Sequence, residues 1–237
     1  MPSDAEITNY DPIADIFIAH AGRSDSWNNA YDRPNILARL PDLNGKRVLD
    51  LGCSTGFYTE YALEKGAEIA AVDASQKLIE RLTNKIKSPK VKLHCADIGQ
   101  PMPFLKSSSF DVAICSLVMD YIKDWDALLE ELYRVLKKGG RVVISTGHPF
   151  SSFLYFTRHA EPVGYFDFKM IADTWARKSA QPFRTHYYVR PLVEVLRPMI
   201  QSRFRIISVD EPPAPQDDKD APEYKQLPGF LFIVLEK

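Results

Sequence analysis

The strongest chemical pattern in the chain is VLDLGCSTGFYT at 48–59, an apolar strand that runs into a glycine loop and then a helix. Gly52 and Gly56 permit tight turns and a close approach of backbone to ligand, and the first N–H groups of the helix point at the same place. Such a loop suits a nucleotide-like ligand, although a plain strand-to-helix turn uses glycines in the same way. A dinucleotide fingerprint, GxGxxG, needs glycines at 54 and 57, where Ser54 and Phe57 stand. Two YxxxK matches, Tyr61/Lys65 and Tyr165/Lys169, suggest a short-chain dehydrogenase, but both read as chance. Asp73 follows Gly52 by 21 residues at the end of the next apolar run. A carboxylate there can accept both hydroxyls of a ribose. It can equally be an acid that complements the dipole of the following helix.

These residues need elements to position them, and the hydrophobic pattern supplies an alternating series. Strands are expected at 47–51, 68–72, 91–95, 110–116 and 141–146. Helices are expected at 57–65, stopped by Gly66, and after the N-cap Ser75, with Leu78, Ile79, Leu82 and Ile86 as one apolar stripe. A third starts near Asp124, buries Trp125, Leu128, Leu129, Leu132, Val135 and Leu136, and ends in Lys137-Lys138-Gly139-Gly140, a good C-terminal cap. Parallel neighbours require crossover helices, so the alternation predicts a doubly wound α/β sheet. Later, Pro191 opens a helix that Pro198 must kink or end, and 204–209 and 230–236 form an antiparallel strand pair at one edge.

Composition narrows the function classes. The 237 residues are 45% hydrophobic and 26% charged, which excludes a disordered chain. The net charge of −1 argues against bulk electrostatic attraction to nucleic acid. No apolar run approaches the ~20 residues of a membrane span. The first residues, MPSDAEITNYDP, lack the basic start and apolar core of a signal peptide. Cys53, Cys95 and Cys115 are an odd, widely spaced set, which points to reduced thiols and a cytoplasmic setting. No His, Asp, Glu or Cys cluster has metal-ligand spacing, so no metal is expected.

Taken together, the loop and its acids resemble the class I S-adenosylmethionine-dependent methyltransferases, specifically the small-molecule methylases, over nearly the whole chain. The pattern of an acid and then Gly-x-Gly-x-Gly reads here as Asp50, Gly52, Ser54 and Gly56, with serine at the middle glycine. The resemblance implies a Rossmann-like, mostly parallel seven-stranded sheet with an antiparallel last strand and an aromatic lid insertion. It implies one domain over 1–237: N-terminal cap helices in 1–44, a cofactor-binding core at 45–147, a substrate lid at 148–190, and a final helix and strand pair at 191–237. The implied cofactor is S-adenosylmethionine. Asp50 would orient the loop and the ammonium of the methionine moiety, with the backbone of Gly52 and Cys53 facing the same moiety. Asp73 and Ala74 would take the ribose. Asp97 would accept from the adenine amino group, and Ile98 would pack on the ring. Ser116 and Leu117 would lie at the end of the fourth strand. Tyr10 and the YDRP segment beginning at Tyr31 would fold over the cofactor.

The implied partner is a small-molecule methyl acceptor, with neither nucleic acid nor membrane involved; the oligomeric state is not legible. Residues 150–190 hold 11 of the 27 aromatics, more than a solvated loop would carry. They read as a lid, as a satellite hydrophobic cluster, or as both. His148, just past the fifth strand, and His186 are the candidate bases; Tyr187 and Arg190 are candidate pocket residues. Asp120 stands where many relatives have His, so no catalytic role carries over to it, and Asp111 reads as structural. Two alternatives stay open at this point: an NAD(P)-dependent oxidoreductase on a related fold, and a catalytically inactive methyltransferase-like binding protein.

Overall fold

The computed structural model describes residues 10–21, 26–159, 163–175, 183–214 and 227–237. Parts of the expected cap (1–9 and 22–25) and of the expected lid (160–162 and 176–182) lie outside the described residues.

Seven strands form one sheet: β1 (Arg47–Leu51), β2 (Glu68–Asp73), β3 (Val91–Cys95), β4 (Phe110–Ser116), β5 (Leu136–Gly147), β8 (Arg205–Asp210) and β9 (Phe230–Glu236). Their order is β3-β2-β1-β4-β5-β9-β8. The first five are parallel, and β9 runs antiparallel to both β5 and β8. This is the doubly wound, mostly parallel sheet that the alternation predicts. The chain reverses its direction of winding between β1 and β4, so the C-terminal ends of β1 and β4 border the crevice where such sheets hold ligands.

The helices are α1 (Ala14–Ala21), α2 (Arg33–Arg39), α3 (Phe57–Glu64), α4 (Gln76–Lys85), α5 (Trp125–Val135), α6 (Pro149–His159) and α7 (Leu192–Gln201). Both faces of the sheet are covered. Leu49 and Leu51 of β1 share a core with Leu128 and Leu132 of α5 and with Val195 and Met199 of α7. Val48 packs with Ile36 of α2, Ala62 of α3 and Leu82 of α4. Ser75 caps α4 as expected, accepting from the Leu78 N–H at 3.2 Å.

Three local expectations are corrected or narrowed. Gly139 does not cap α5. The helix stops at Val135, and 136–140 already belong to β5, where Gly139 takes φ +76°. The last residue completes the helix end instead: Lys237 Nζ donates to the carbonyls of Tyr133 and Leu136 at 2.6 and 2.7 Å. Lys137 turns away to Asp111 at 2.8 Å. Pro198 likewise does not end α7, which continues to Gln201, because a proline in the last turn forfeits only one helical hydrogen bond. The aromatic segment is also more regular than its sequence suggests. After α6, strands β6 (Lys169–Trp175) and β7 (Phe183–Val189) form a separate antiparallel pair. With α6 they enclose a small core of Phe156, Val163, Ile171 and Val189.

Candidate functional site

A cleft with a cavity volume of about 130 Å³ opens at the C-terminal ends of β1 to β4. Its floor is the glycine loop. The N–H groups of Gly52 and Cys53 both donate to the Val72 carbonyl, at 2.8 and 3.0 Å, which pins the loop to β2. Gly52 adopts φ +69°, and a Cβ there would stand 2.5 Å from Val118 Cγ2, on another wall of the cleft. Ser54 and Leu117, both in the lining, hold the left-handed conformation without being glycine, at φ +52° and +49°. Such strain persists where the surroundings over-determine it, as at ligand sites.

Carboxylates are spaced along the cleft. Asp73, on β2, accepts from the Ser54 N–H at 2.8 Å through Oδ2 and from the Ser75 N–H at 2.9 Å through Oδ1. Burial pushes its pKa up, against the pull of those N–H groups. Asp97, after β3, turns Oδ1 to the Gly99 N–H at 2.8 Å, with buried Ile98 beside it. Asp32, from a π-helical turn at Asn28–Asp32, reaches the end of β4, where its Oδ2 accepts from Ser116 Oγ at 2.6 Å and from Tyr58 Oη at 2.8 Å. Tyr10 and Tyr121 close one side with their hydroxyls hydrogen-bonded to each other. Burial raises the Tyr10 phenol to about 12, so it stays protonated at ordinary pH.

The cleft therefore brings together Tyr10, Gly52, Cys53, Ser54, Asp73, Ala74, Asp97, Ile98, Ser116 and Leu117 from the sequence reading. It does not bring in Tyr31, Asp50, Gly56, His148 or His186. Tyr31 is a core residue, stacked on Phe230 at 5.1 Å with its hydroxyl donating to the Pro212 carbonyl. Asp50 is buried beneath the loop, where it accepts from Thr59 Oγ1 at 2.7 Å; desolvation lifts its pKa to about 6. At Gly56 the missing Cβ makes room for Leu82, which would be 2.4 Å away, so this glycine serves packing against α4. His148 is buried with Nε2 2.5 Å from Glu211 Oε1, and His186 sits on β7. Asp120 is taken up by the Gly147 N–H at 3.0 Å and the Thr146 hydroxyl. Arg190 donates through Nη2 to the carbonyls of Ile122 and Lys123 and lies over the Trp125 ring at 4.5 Å.

Asp32 and Arg33 of the YDRP segment line the cleft, as do Tyr58 and Tyr121, which the sequence does not single out. The YDRP segment was the right signal with the wrong residue foremost: its adjacent opposite charges, rather than its tyrosine, face the ligand space. Among the described residues, no group of three or more His, Cys, Asp or Glu side chains could hold a metal, and no helix is long and apolar enough to cross a membrane.

Comparison with known proteins agrees with this geometry. The family model of a methyltransferase domain matches residues 49–144, the stretch that carries β1 to β5. A solved structure from Listeria monocytogenes, assigned as an S-adenosylmethionine-dependent methyltransferase, superposes with a TM-score of 0.72 at 26% identity. That match covers 87% of this chain and 96% of the other. The chain is a class I S-adenosylmethionine-dependent methyltransferase. An uncharacterized Haemophilus influenzae protein is 27% identical over 237 residues, covering 90% of this methyltransferase and 89% of that protein. The demethylmenaquinone methyltransferase of Lactococcus lactis is 32% identical over 164 residues, covering 64% and 65%. The methyltransferase thus spans just under two thirds of that curated relative. Its cofactor is S-adenosylmethionine, and the cleft suits it: a polar, acid-lined trough whose glycine leaves no room for a side chain, with a buried oxygen, Asp32 Oδ1, lacking a hydrogen-bond partner.

Proposed function

We propose that this methyltransferase methylates a small molecule, with the cofactor lying across the ends of β3, β2, β1 and β4 in that order. Three strand spacings amount to about 14 Å, the scale of an extended adenine–ribose–methionine chain. On this reading Asp97 and Ile98 meet the adenine, and Asp73 and Ala74 meet the ribose. The backbone of Gly52, Cys53 and Ser54 meets the methionine, and Ser116 and Leu117 border the methyl. When bound, S-adenosylmethionine supplies a methyl carbon on cationic sulfur, which an acceptor lone pair attacks in line while the C–S electrons return to sulfur. The chain's own residues then have two tasks: to hold the acceptor on that line, and to exclude water.

The observation that carries the small-acceptor reading is the contact between Tyr121, on the cleft wall, and Tyr187 of β7, whose ring centroids are 5.8 Å apart. Through it the β6–β7 pair stands against the cleft. Tyr187 is held in turn by Asp173, which accepts from its hydroxyl at 2.9 Å. An aromatic wall of this kind suits an apolar or planar acceptor better than a folded macromolecule. His148 and His186 lie off the lining, so neither is assigned as a base. The test is transfer from methyl-labelled cofactor into a fractionated cell extract. Label in the low-molecular-weight fraction supports the reading, and label confined to protein or nucleic acid overturns it.

A further inference from the structure

Asp32 is 1% exposed, yet it belongs to the lining of the cleft. Only one of its oxygens is used: Oδ2 takes the hydroxyls of Tyr58 and Ser116, while Oδ1 is buried with no hydrogen-bond partner. Burial pushes the Asp32 pKa up, while hydrogen bonds from the Ser116, Ser145 and Tyr58 hydroxyls and the charge of Arg33 pull it down. Leaving a buried carboxylate oxygen bare is costly unless a donor arrives. Asp32 lines the cleft, so a ligand there can supply that donor. S-adenosylmethionine carries two cations, but the sulfonium has no hydrogen to donate, whereas the ammonium of its amino-acid end has three. Asp50, the acid the motif offers for this group, lies off the cleft and already accepts from Thr59.

We infer that Asp32 is the residue that receives the ammonium of the cofactor's amino-acid end, through its free Oδ1. The inference rests on the cofactor orientation proposed above, because the β4 end of the cleft must be the methionine end. Tyr58 and Ser116 then act as positioning residues that fix Oδ2 and so aim Oδ1. The cation completes the carboxylate's set of partners and replaces the water that burial removed.

The test is calorimetric titration of S-adenosylhomocysteine and of methylthioadenosine into the wild-type chain, Asp32→Asn and Asp32→Ser. S-adenosylhomocysteine keeps the ammonium and lacks the sulfonium charge; methylthioadenosine lacks the amino-acid end altogether. A variant without the charge is expected to bind S-adenosylhomocysteine about 10- to 100-fold more weakly. Its affinity for methylthioadenosine should stay within a few-fold of wild type, which also shows that the cleft is folded. The inference is overturned if neither variant shows a loss confined to S-adenosylhomocysteine. Failure of the wild-type chain to bind either ligand removes the cofactor orientation, and the Asp32 assignment with it. Wild-type binding of both, unchanged in the variants, removes only the assignment.

Discussion

The Asp73 carboxylate accepts the backbone N–H of Ser54 at 2.8 Å, so the acid at the end of β2 holds the glycine loop that follows β1. Its other oxygen accepts the Ser75 N–H at 2.9 Å, at the entrance to α4. One side chain thus ties loop, strand and helix together at the edge of the cleft.

Asp73→Ala should therefore weaken S-adenosylhomocysteine binding by about 1.5–3 kcal/mol, the range for hydrogen bonds to a charged group. Asp73→Asn should also do harm, because its amide NH₂ must oppose one of the two backbone N–H donors. Titration calorimetry of both variants checks this. Wild-type affinity in Asp73→Ala would show that the carboxylate serves only the loop.

The glycine loop, the strand-end acids Asp73 and Asp97 and the mostly parallel sheet were legible because each rests on local pattern: alternation of apolar runs, a glycine pair, and acids at strand ends. Asp32 was not, because its importance comes from meeting Ser116 and Tyr58, residues 84 and 26 positions away. The β6–β7 pair was not legible because its strands KMIADTW and FRTHYYV mix polar and apolar residues on both faces. The end of α5 misled for a related reason. Its Lys-Lys-Gly-Gly sequence has the composition of a cap, but the carbonyls are taken by Lys237, about a hundred residues on. Local chemistry was readable; partners brought by the fold were not.

Asp50 carries a pH signature. Burial raises its pKa from 3.8 to about 6, so the folded chain holds that proton more tightly than the unfolded chain. The stability this contributes is full below the unfolded value and is lost as pH rises through about 6, amounting to about 3 kcal/mol. Asp50→Asn removes this titration. Its melting temperature relative to wild type should be more favourable at about pH 8 than at about pH 4. A difference independent of pH, measured by calorimetry across that range, would contradict the buried-acid account.

Tyr187 separates a lid from a structural cover. Its ring meets Tyr121 at 5.8 Å and Phe156 at 5.7 Å. Tyr187→Ala should raise the acceptor KM or lower turnover by the equivalent of about 1–3 kcal/mol of lost apolar contact, with S-adenosylhomocysteine affinity within a few-fold of wild type. Steady-state kinetics with a melting curve on the same sample decides between the two. A lower Tm with unaltered acceptor kinetics would leave the β6–β7 pair as cover alone.

The most direct test of the account is a comparison of thermal unfolding with S-adenosylhomocysteine and with NAD. A ligand that occupies the cleft stabilises the folded chain by mass action, by about 2.7 kcal/mol at ~100 times its dissociation constant. The acids along β3, β2 and β4 and the glycine loop between them predict a raised melting temperature with S-adenosylhomocysteine and none with NAD. An unshifted melt with S-adenosylhomocysteine and a raised one with NAD would contradict it.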